Sequence, residues 1–363
     1  MSLKSPRILV CPLNWGLGHA TRCIPIVKEL LQAGAEVIIG ANGDAAALLK
    51  KEFPSLVHLD TPGITIKYSK ARLLFPLVMA SQFGNFKKQI AEEKNWLEKT
   101  IVAYKIDGVL SDNRYGLYIN KIPSVLITHQ LNIKTGFGNW VDAVVNKMFL
   151  LPLLNRFSTI WIPDNEMDYT LGGELSHPKQ KPSARLFYLG LVNRFTNSTN
   201  EEAAKILVLL SGPEPQRTIL ENKIIADCRF IEERVVIVRG LPASTDKLKK
   251  TSQVQFHNYL SGEELATEIK QAALVIARSG YSTLLEILPL QKKSILIPTP
   301  GQTEQEYLAS KLYQEKKALV FKQKDFNFSD AITKARQFSY EIPDLPANQQ
   351  LSNTVKNWLK NNF

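Results

Sequence analysis

The chain has 363 residues, 44% of them hydrophobic and 22% charged, with 45 Lys and Arg against 34 Asp and Glu for a net charge of +11. That length holds two domains with cores of their own, and the balance of apolar and charged residues excludes a disordered or fibrous chain. Three cysteines, Cys11, Cys23 and Cys228, are too few and too scattered for a disulfide framework or a zinc site, which points to free thiols in a reducing cytosol.

The positive charge biases the surface toward anionic partners, nucleotides and acidic lipids among them. Nucleic acid is set aside, because no helix-turn-helix, RNA-binding aromatic signature or zinc-finger spacing accompanies the charge. The longest apolar runs, at 73–80 and 148–154, fall far short of the ~20 residues that a membrane-spanning helix requires. The N-terminus has no signal-peptide apolar region either.

In chain order, apolar segments at 8–10, 37–39, 56–59, 108–110, 125–127 and 160–162 alternate with longer helical patterns, the mark of an open parallel sheet covered on both faces by helices. After the first of these strands comes NWGLGHATRC at 14–23. Gly16 and Gly18 permit a tight turn and close approach of a ligand, and His19 falls at the start of the following helix. Thr21 stands where a dinucleotide fingerprint needs its third glycine, so NAD binding is disfavoured. A helix-start histidine that bonds only backbone is the plain alternative for His19. The stretch 66–90 sets Lys67, Lys70, Arg72, Lys87 and Lys88 around an apolar centre broken by Pro76. It reads as a membrane-surface element or as a buried helix pair.

SDNRYG at 111–116 and THQLN at 128–132 each follow a strand. They offer Asp112 as an acid or base and His129, Gln130 and Asn132 as acceptor-side groups, or else serve as turn residues. The polar stretch 193–202 reads as a linker between a first domain, 1–192, and a second, 203–345, with a C-terminal helix at 346–363 that packs back on the first. Strand segments resume at 206–210, 235–238, 254–256, 274–277 and 295–297. The turn after the first of these carries Ser211 and Gly212, although Pro213 and Pro215 remove two backbone donors. Arg194 is placed to neutralise a diphosphate or to form a salt bridge.

ARSGYSTLLEILPLQKKSILIPTPGQTEQEYL at 277–308 is the most informative stretch. A buried strand ends at Ser279 and Gly280, and Tyr281, Ser282 and Thr283 open a helix whose unpaired N–H groups and dipole suit an anion such as a diphosphate. Glu286, about one turn on, is positioned to accept from ribose hydroxyls. Gln305 and Glu306 open the next helix.

This segment resembles the nucleotide-sugar signature of GT-B glycosyltransferases, most closely the MurG-like family typified by the N-acetylglucosaminyltransferase that forms lipid II. The resemblance implies an α/β GT-B fold, two Rossmann-like domains with parallel sheets facing across a cleft. It further implies that 279–283 face the UDP diphosphate, that Glu286 holds the ribose and that Gln305 with Glu306 contacts the donor sugar, Glu306 standing where the family has a second Gln. The loop with Gly16, Gly18 and His19 corresponds to the family's glycine loop, with His19 at the reaction centre, and THQLN resembles its acceptor-side turn. GLGHATRC also resembles the loop of the UDP-sugar hydrolase of the pseudaminic acid pathway.

The expectation is a cytoplasmic, inverting glycosyltransferase that moves a hexose or N-acetylhexosamine from a UDP-sugar to a sugar or lipid-linked acceptor, with a peripheral position on the inner face of the membrane as a further option. A UDP-sugar hydrolase or epimerase, and a non-catalytic binder of nucleotide-sugars, are the alternatives. The absence of DxD, HExxH, CxxC and P-loop motifs implies metal-independent chemistry with no cofactor besides the donor substrate.

Overall fold

The structure is a computed structural model that describes residues 5–14, 17–63, 75–195, 205–228, 232–242, 244–246, 248, 250–345, 348 and 350–363, with backbone alone for 75–83. Gly16, the segment 64–74 with Lys67, Lys70, Arg72 and Leu73, and most of the 193–202 stretch lie outside the described residues. Two compact units divide the chain: residues 1–192 with 348–363, and residues 193–347.

The first unit is built on seven strands: β1 (Arg7–Pro12), β2 (Glu36–Ala41), β3 (Val57–Asp60), β4 (Gly108–Asp112), β5 (Ser124–Ile127), β6 (Thr159–Ile162) and β7 (Arg185–Tyr188). They run parallel in the order β3-β2-β1-β4-β5-β6-β7. Central strands are buried along their whole length because helices cover both faces, every residue of β4, β5 and β6 being buried. The edge strands β3 and β7 instead carry exposed positions, Val57 and Phe187 among them. That interrupted pattern is why the sequence gives no separate signal for β7.

Around this sheet lie α1 (Gly18–Gln32), α2 (Gly43–Glu52), the 30-residue α3 (Phe75–Tyr104), α4 (Asn139–Val145) and α5 (Leu151–Leu154), the last two joined by a π-helical turn, Asn146–Leu150. Pro76 does not break α3, whose described backbone runs as helix from Phe75 through Pro76 to Tyr104. α3 is anchored by a buried pair, Glu93 with Arg114, whose Nε lies 3.1 Å from Glu93 Oε1.

The second unit holds β8 (Lys205–Leu209), β9 (Arg234–Val238), β10 (Val254–His257), β11 (Ala272–Ala277), β12 (Ser294–Leu296) and β13 (Leu319–Val320), parallel in the order β10-β9-β8-β11-β12-β13. Its helices are α6 (Gln216–Asp227), α7 (Gly262–Lys270), α8 (Tyr281–Ile287), α9 (Thr303–Gln314) and α10 (Phe328–Gln337). Two apolar layers sandwich the sheet, one including Ile206, Val208, Ile276 and Phe328, the other Leu207, Leu209, Val275 and Ile287. α7 opens with a capping box, Ser261 and Glu264 each satisfying the other's backbone N–H. The final helix, α11 (Leu351–Asn362), belongs to the first unit, where Trp358 meets Trp161 edge-on at 5.6 Å.

In each sheet the strand order reverses direction once, between β1 and β4 in the first and between β8 and β11 in the second. The loops leaving the C-terminal ends of these strands diverge there, and such switch points are where open α/β sheets bind ligands. The GLGHATR and SDNRYG segments leave one switch point, and the SGPEP and SGYST segments leave the other.

Candidate active site

At the first switch point four side chains from three strand ends converge. α1 begins directly after the β1 loop and presents His19 and Arg22 one turn apart on the same face. Asp112 ends β4 and His129 follows β5 by two residues. His19 Nδ1 lies 2.7 Å from Asp112 Oδ1. Arg22 grips the same carboxylate side-on, with Nε donating to Oδ2 at 2.5 Å and Nη2 donating to Oδ1. Its third nitrogen, Nη1, lies 3.0 Å from His129 Nδ1.

Asp112 is fully buried, as is almost all of Arg22, whereas the His19 side chain keeps 16% of its exposure. Burial alone would raise the Asp112 carboxyl, yet the charges and hydrogen bonds of Arg22 and His19 outweigh it and bring the pKa to about 2. Asp112 is therefore an ionised acceptor at neutral pH. The sequence offered it as an acid or base, and the structure places it as the carboxylate that His19 and Arg22 share. What it does is fix His19, because a ring nitrogen facing a carboxylate carries its proton, leaving Nε2 as the basic nitrogen. Cys23, adjacent in the chain, sits 3.7 Å from Asp112 Oδ2, and burial holds its thiol protonated.

The neighbouring acceptor-side candidates divide. His129 is drawn into the cluster through Arg22. Asn132 is spent on structure, since its Oδ1 accepts from Asn146 Nδ2 at 2.6 Å, and Asn146 also bonds the backbone of Ile133 and Asp142. Gln130 is half-buried, with its N–H donating to Thr128 Oγ1.

At the second switch point Gly280 is the N-cap of α8 in extended conformation, and Ser282 and Thr283 are half-buried in its first turn. Ser279 and Tyr281 are buried instead. Ser279 Oγ donates to the Gln305 carbonyl at 2.8 Å, so its hydroxyl proton is committed to joining two loops rather than to a phosphate. Gln305 is likewise turned inward: Oε1 accepts from the Thr299 N–H at 2.8 Å and Nε2 donates to Gln302 Oε1 at 2.5 Å. Glu306 Oε1 accepts from the Gly301 N–H at 3.2 Å. The pair that the resemblance assigned to the sugar therefore shapes the 299–302 turn.

Glu286 is buried and takes a 2.8 Å hydrogen bond from Arg194 Nε, with the guanidinium 4.9 Å over the Phe195 ring. Arg194 thus steadies the carboxylate of Glu286, the salt bridge that was one of its two expected roles. On the facing loop Gly212 has φ +97°, a left-handed backbone that only glycine adopts without strain, and Ser211 beside it is half-buried. A Cβ on Gly212 would stand 3.5 Å from Thr299 Oγ1, a buried hydroxyl without a hydrogen-bond partner among the described residues. Behind these loops Arg278 is fully buried, donating to the carbonyls of Gln216 and Ile297 and to Gln323 Oε1. Burial draws its pKa down to about 10, so it remains a cation at neutral pH.

Sequence reasoning passed over Arg22, Thr299 and Arg278. The three-residue spacing of His19 and Arg22 was the available signal for the first. A charged residue ending the apolar run of β11 was the signal for Arg278.

Comparison with known proteins agrees with this architecture. Residues 219–357 match the model of the glycosyltransferase family 28 C-terminal domain. An uncharacterized glycosyltransferase of Methanosarcina acetivorans is 26% identical over 329 residues, 85% of this chain and 84% of that protein. The UDP-N-acetylglucosamine--N-acetylmuramyl-(pentapeptide) pyrophosphoryl-undecaprenol N-acetylglucosamine transferase of Clostridium perfringens is 25% identical over 349 residues, 92% and 88% of the two chains. Among solved structures, the spinosyn rhamnosyltransferase SpnG superposes with a TM-score of 0.65 at 15% identity, covering 98% of this chain and 100% of SpnG. Its complex with thymidine diphosphate gives 0.59 at 15% identity, covering 98% and 95%.

The fold is GT-B, and the chain is a glycosyltransferase of that class. Within the class its similarity runs to the MurG-like enzymes and to the archaeal glycosyltransferases.

Proposed function

We propose that the protein transfers a hexose or N-acetylhexosamine from a UDP-sugar to a sugar or lipid-linked acceptor by a single displacement with inversion, without a metal ion. The observation that carries this reading is the 2.7 Å contact between His19 Nδ1 and the buried, ionised Asp112. It leaves Nε2 of His19 to take the proton from an acceptor hydroxyl. As that O–H bond breaks, the oxygen forms its bond to the anomeric carbon on the face opposite the leaving group. The bond from that carbon to the diphosphate oxygen breaks, and the nucleoside diphosphate leaves with the electron pair. His19 ends as the imidazolium, stabilised by Asp112.

In this account the second unit holds the donor. The Gly280 to Thr283 helix start and the Ser211–Gly212 turn receive the diphosphate, and Thr299 Oγ1 donates toward the same space. Glu286, steadied by Arg194, accepts from the ribose hydroxyls. Arg278 supplies a fixed positive charge behind the loops, so leaving-group charge is met by preorganised groups. The likeness to the clostridial N-acetylglucosamine transferases supports UDP-N-acetylglucosamine as the first donor to test.

For the acceptor, a peripheral position on the cytoplasmic face of the membrane fits an exposed apolar stripe on the first unit. Trp140 is 78% and Met148 63% exposed, with Val144 between them at helical spacing and Lys147 beside them. Among the described residues no helix is long and apolar enough to cross a membrane.

One observation keeps a second reading in view. Arg22 and Cys23, two residues of the motif shared with the UDP-sugar hydrolase, both contact Asp112, and a water in place of the acceptor would turn the same base to hydrolysis. Product analysis with a panel of UDP-sugars and of lipid and soluble acceptors decides. A glycosylated acceptor plus UDP is expected, and free sugar plus UDP, with or without acceptor present, would replace transfer by hydrolysis.

A further inference from the structure

Asn113 directly follows Asp112 at the end of β4, and its backbone has φ +52°, a left-handed conformation that glycine would adopt with less strain. Its place is fixed, because its N–H donates to the Ile127 carbonyl of β5 at 3.1 Å. The residue is only 9% exposed, yet its side-chain Oδ1 is shut off from water without a hydrogen-bond partner among the described residues. Buried polar atoms of folded proteins almost always have one. The neighbouring side chains are committed: Ser111 Oγ donates to the Arg114 carbonyl at 2.6 Å, Asp112 holds His19 and Arg22, and Arg114 binds Thr61 Oγ1 at 3.0 Å and the Glu93 carboxylate at 3.1 Å. Asn113 thus sets a left-handed backbone and an unsatisfied acceptor beside the carboxylate that orients the base, and such outliers gather where a ligand is bound.

We propose that Asn113 is an acceptor-recognition residue whose carboxamide binds a sugar hydroxyl next to the one that His19 deprotonates. The inference rests on the reading of His19 as the acceptor base, and it names the group that this part of the site reads. An amide both donates and accepts, which matches neighbouring hydroxyls of a sugar ring, one taking a hydrogen bond and the other giving it. A phosphate offers only acceptors and would leave Oδ1 against an anion. The one cation of the 111–116 segment, Arg114, is buried and paired with Glu93, so the segment has no charge to spare for a phosphate. The recognised group is neutral. The last torsion of an asparagine is soft, so Oδ1 swings to a bound hydroxyl while the bond to Ile127 keeps the backbone in place.

The test is a nuclear magnetic resonance titration of the full-length protein carrying nitrogen-labelled asparagine. The ligands are the methyl glycosides of glucose, galactose, mannose and N-acetylglucosamine and, separately, inorganic pyrophosphate. The Asn113 side-chain amide signals, assigned by their loss in Asn113→Gly, should shift with at least one glycoside and stay in place with pyrophosphate. Glycine keeps the left-handed backbone, so Asn113→Gly should melt at the wild-type temperature or above. In transfer to that glycoside it should raise the acceptor KM about 10-fold, the usual worth of a lost hydrogen bond, and leave the affinity for UDP as it was. No shift with any glycoside, or a shift with pyrophosphate, would overturn the proposal. So would a variant that melts several degrees lower, since the carboxamide would then be holding the loop. The two readings fail separately: glycoside bound at Asn113 in a protein that forms no glycosylated product would sink the transferase reading alone, and an unchanged acceptor KM in an active Asn113→Gly would sink the role of Asn113 alone.

Discussion

Asp112 shows how a single buried residue ties stability to chemistry. Its carboxyl sits at about 2 against an ordinary value of 3.8, so the folded state binds a proton less readily than the unfolded chain. The stabilisation this brings is fully present above pH ~4 and is lost as the pH falls through that value toward ~2; a shift of this size corresponds to about 2 kcal/mol. Asp112→Asn should therefore flatten the dependence of melting temperature on pH across the acid range. It should also cost about 3 to 5 kcal/mol at neutral pH, since Arg22 is left as a buried cation without its counter-charge. Thermal unfolding of both proteins at pH 3.5, 5 and 7 measures the two effects together, and parallel curves for wild type and variant would remove Asp112 as the source of the acid dependence. Side-chain partners such as these are what a single sequence conceals most. Arg22 and Asp112 lie 90 positions apart, and Arg194 and Glu286 lie 92 apart, so only the fold says that they meet. Ser279 and Gln305 make the same point from the other side: residue type and motif position suggested ligand contacts, and the structure turns both side chains into the protein.

At the scale of elements, the strands covered on both faces were legible as unbroken apolar runs, and their alternation with helices carried the parallel sheets with it. The runs at 8–10, 108–110 and 125–127 became β1, β4 and β5. Elements on the margins were not legible, because β7 alternates exposed and half-buried residues and β13 is two residues long. The C-terminal helix packs by aromatic contact at a position where the sheet has no side chain in the way. A Cβ on Gly108 of β4 would stand 2.9 Å from rings of both Trp358 and Phe363, so the bare strand start lets α11 approach. Trp358→Ala should cost about 3 to 5 kcal/mol by leaving a cavity between α11 and β6. Denaturant unfolding checks this, and a loss below 1 kcal/mol would mean that the helix is not held by its aromatic face.

At the scale of the whole molecule, an excess of 11 positive charges and an exposed Trp140–Val144–Met148 stripe together favour an anionic lipid surface. Basic residues give the long-range attraction, screened beyond ~8 Å at physiological ionic strength, and the apolar residues give the short-range insertion. Vesicle sedimentation should show binding to anionic but not zwitterionic lipid, weakening with salt, and Trp140→Ser with Met148→Ser should abolish it without changing turnover of a soluble acceptor. Equal binding by that double variant would move the docking face elsewhere.

The measurement that reaches the central claim most directly is single-turnover transfer by His19→Ala, with UDP affinity and melting temperature taken on the same preparation. The account predicts a folded protein that binds UDP as wild type does and forms glycosylated acceptor roughly 100- to 10,000-fold more slowly, the usual worth of a positioned general base. A folded His19→Ala that turns over at the wild-type rate would contradict it.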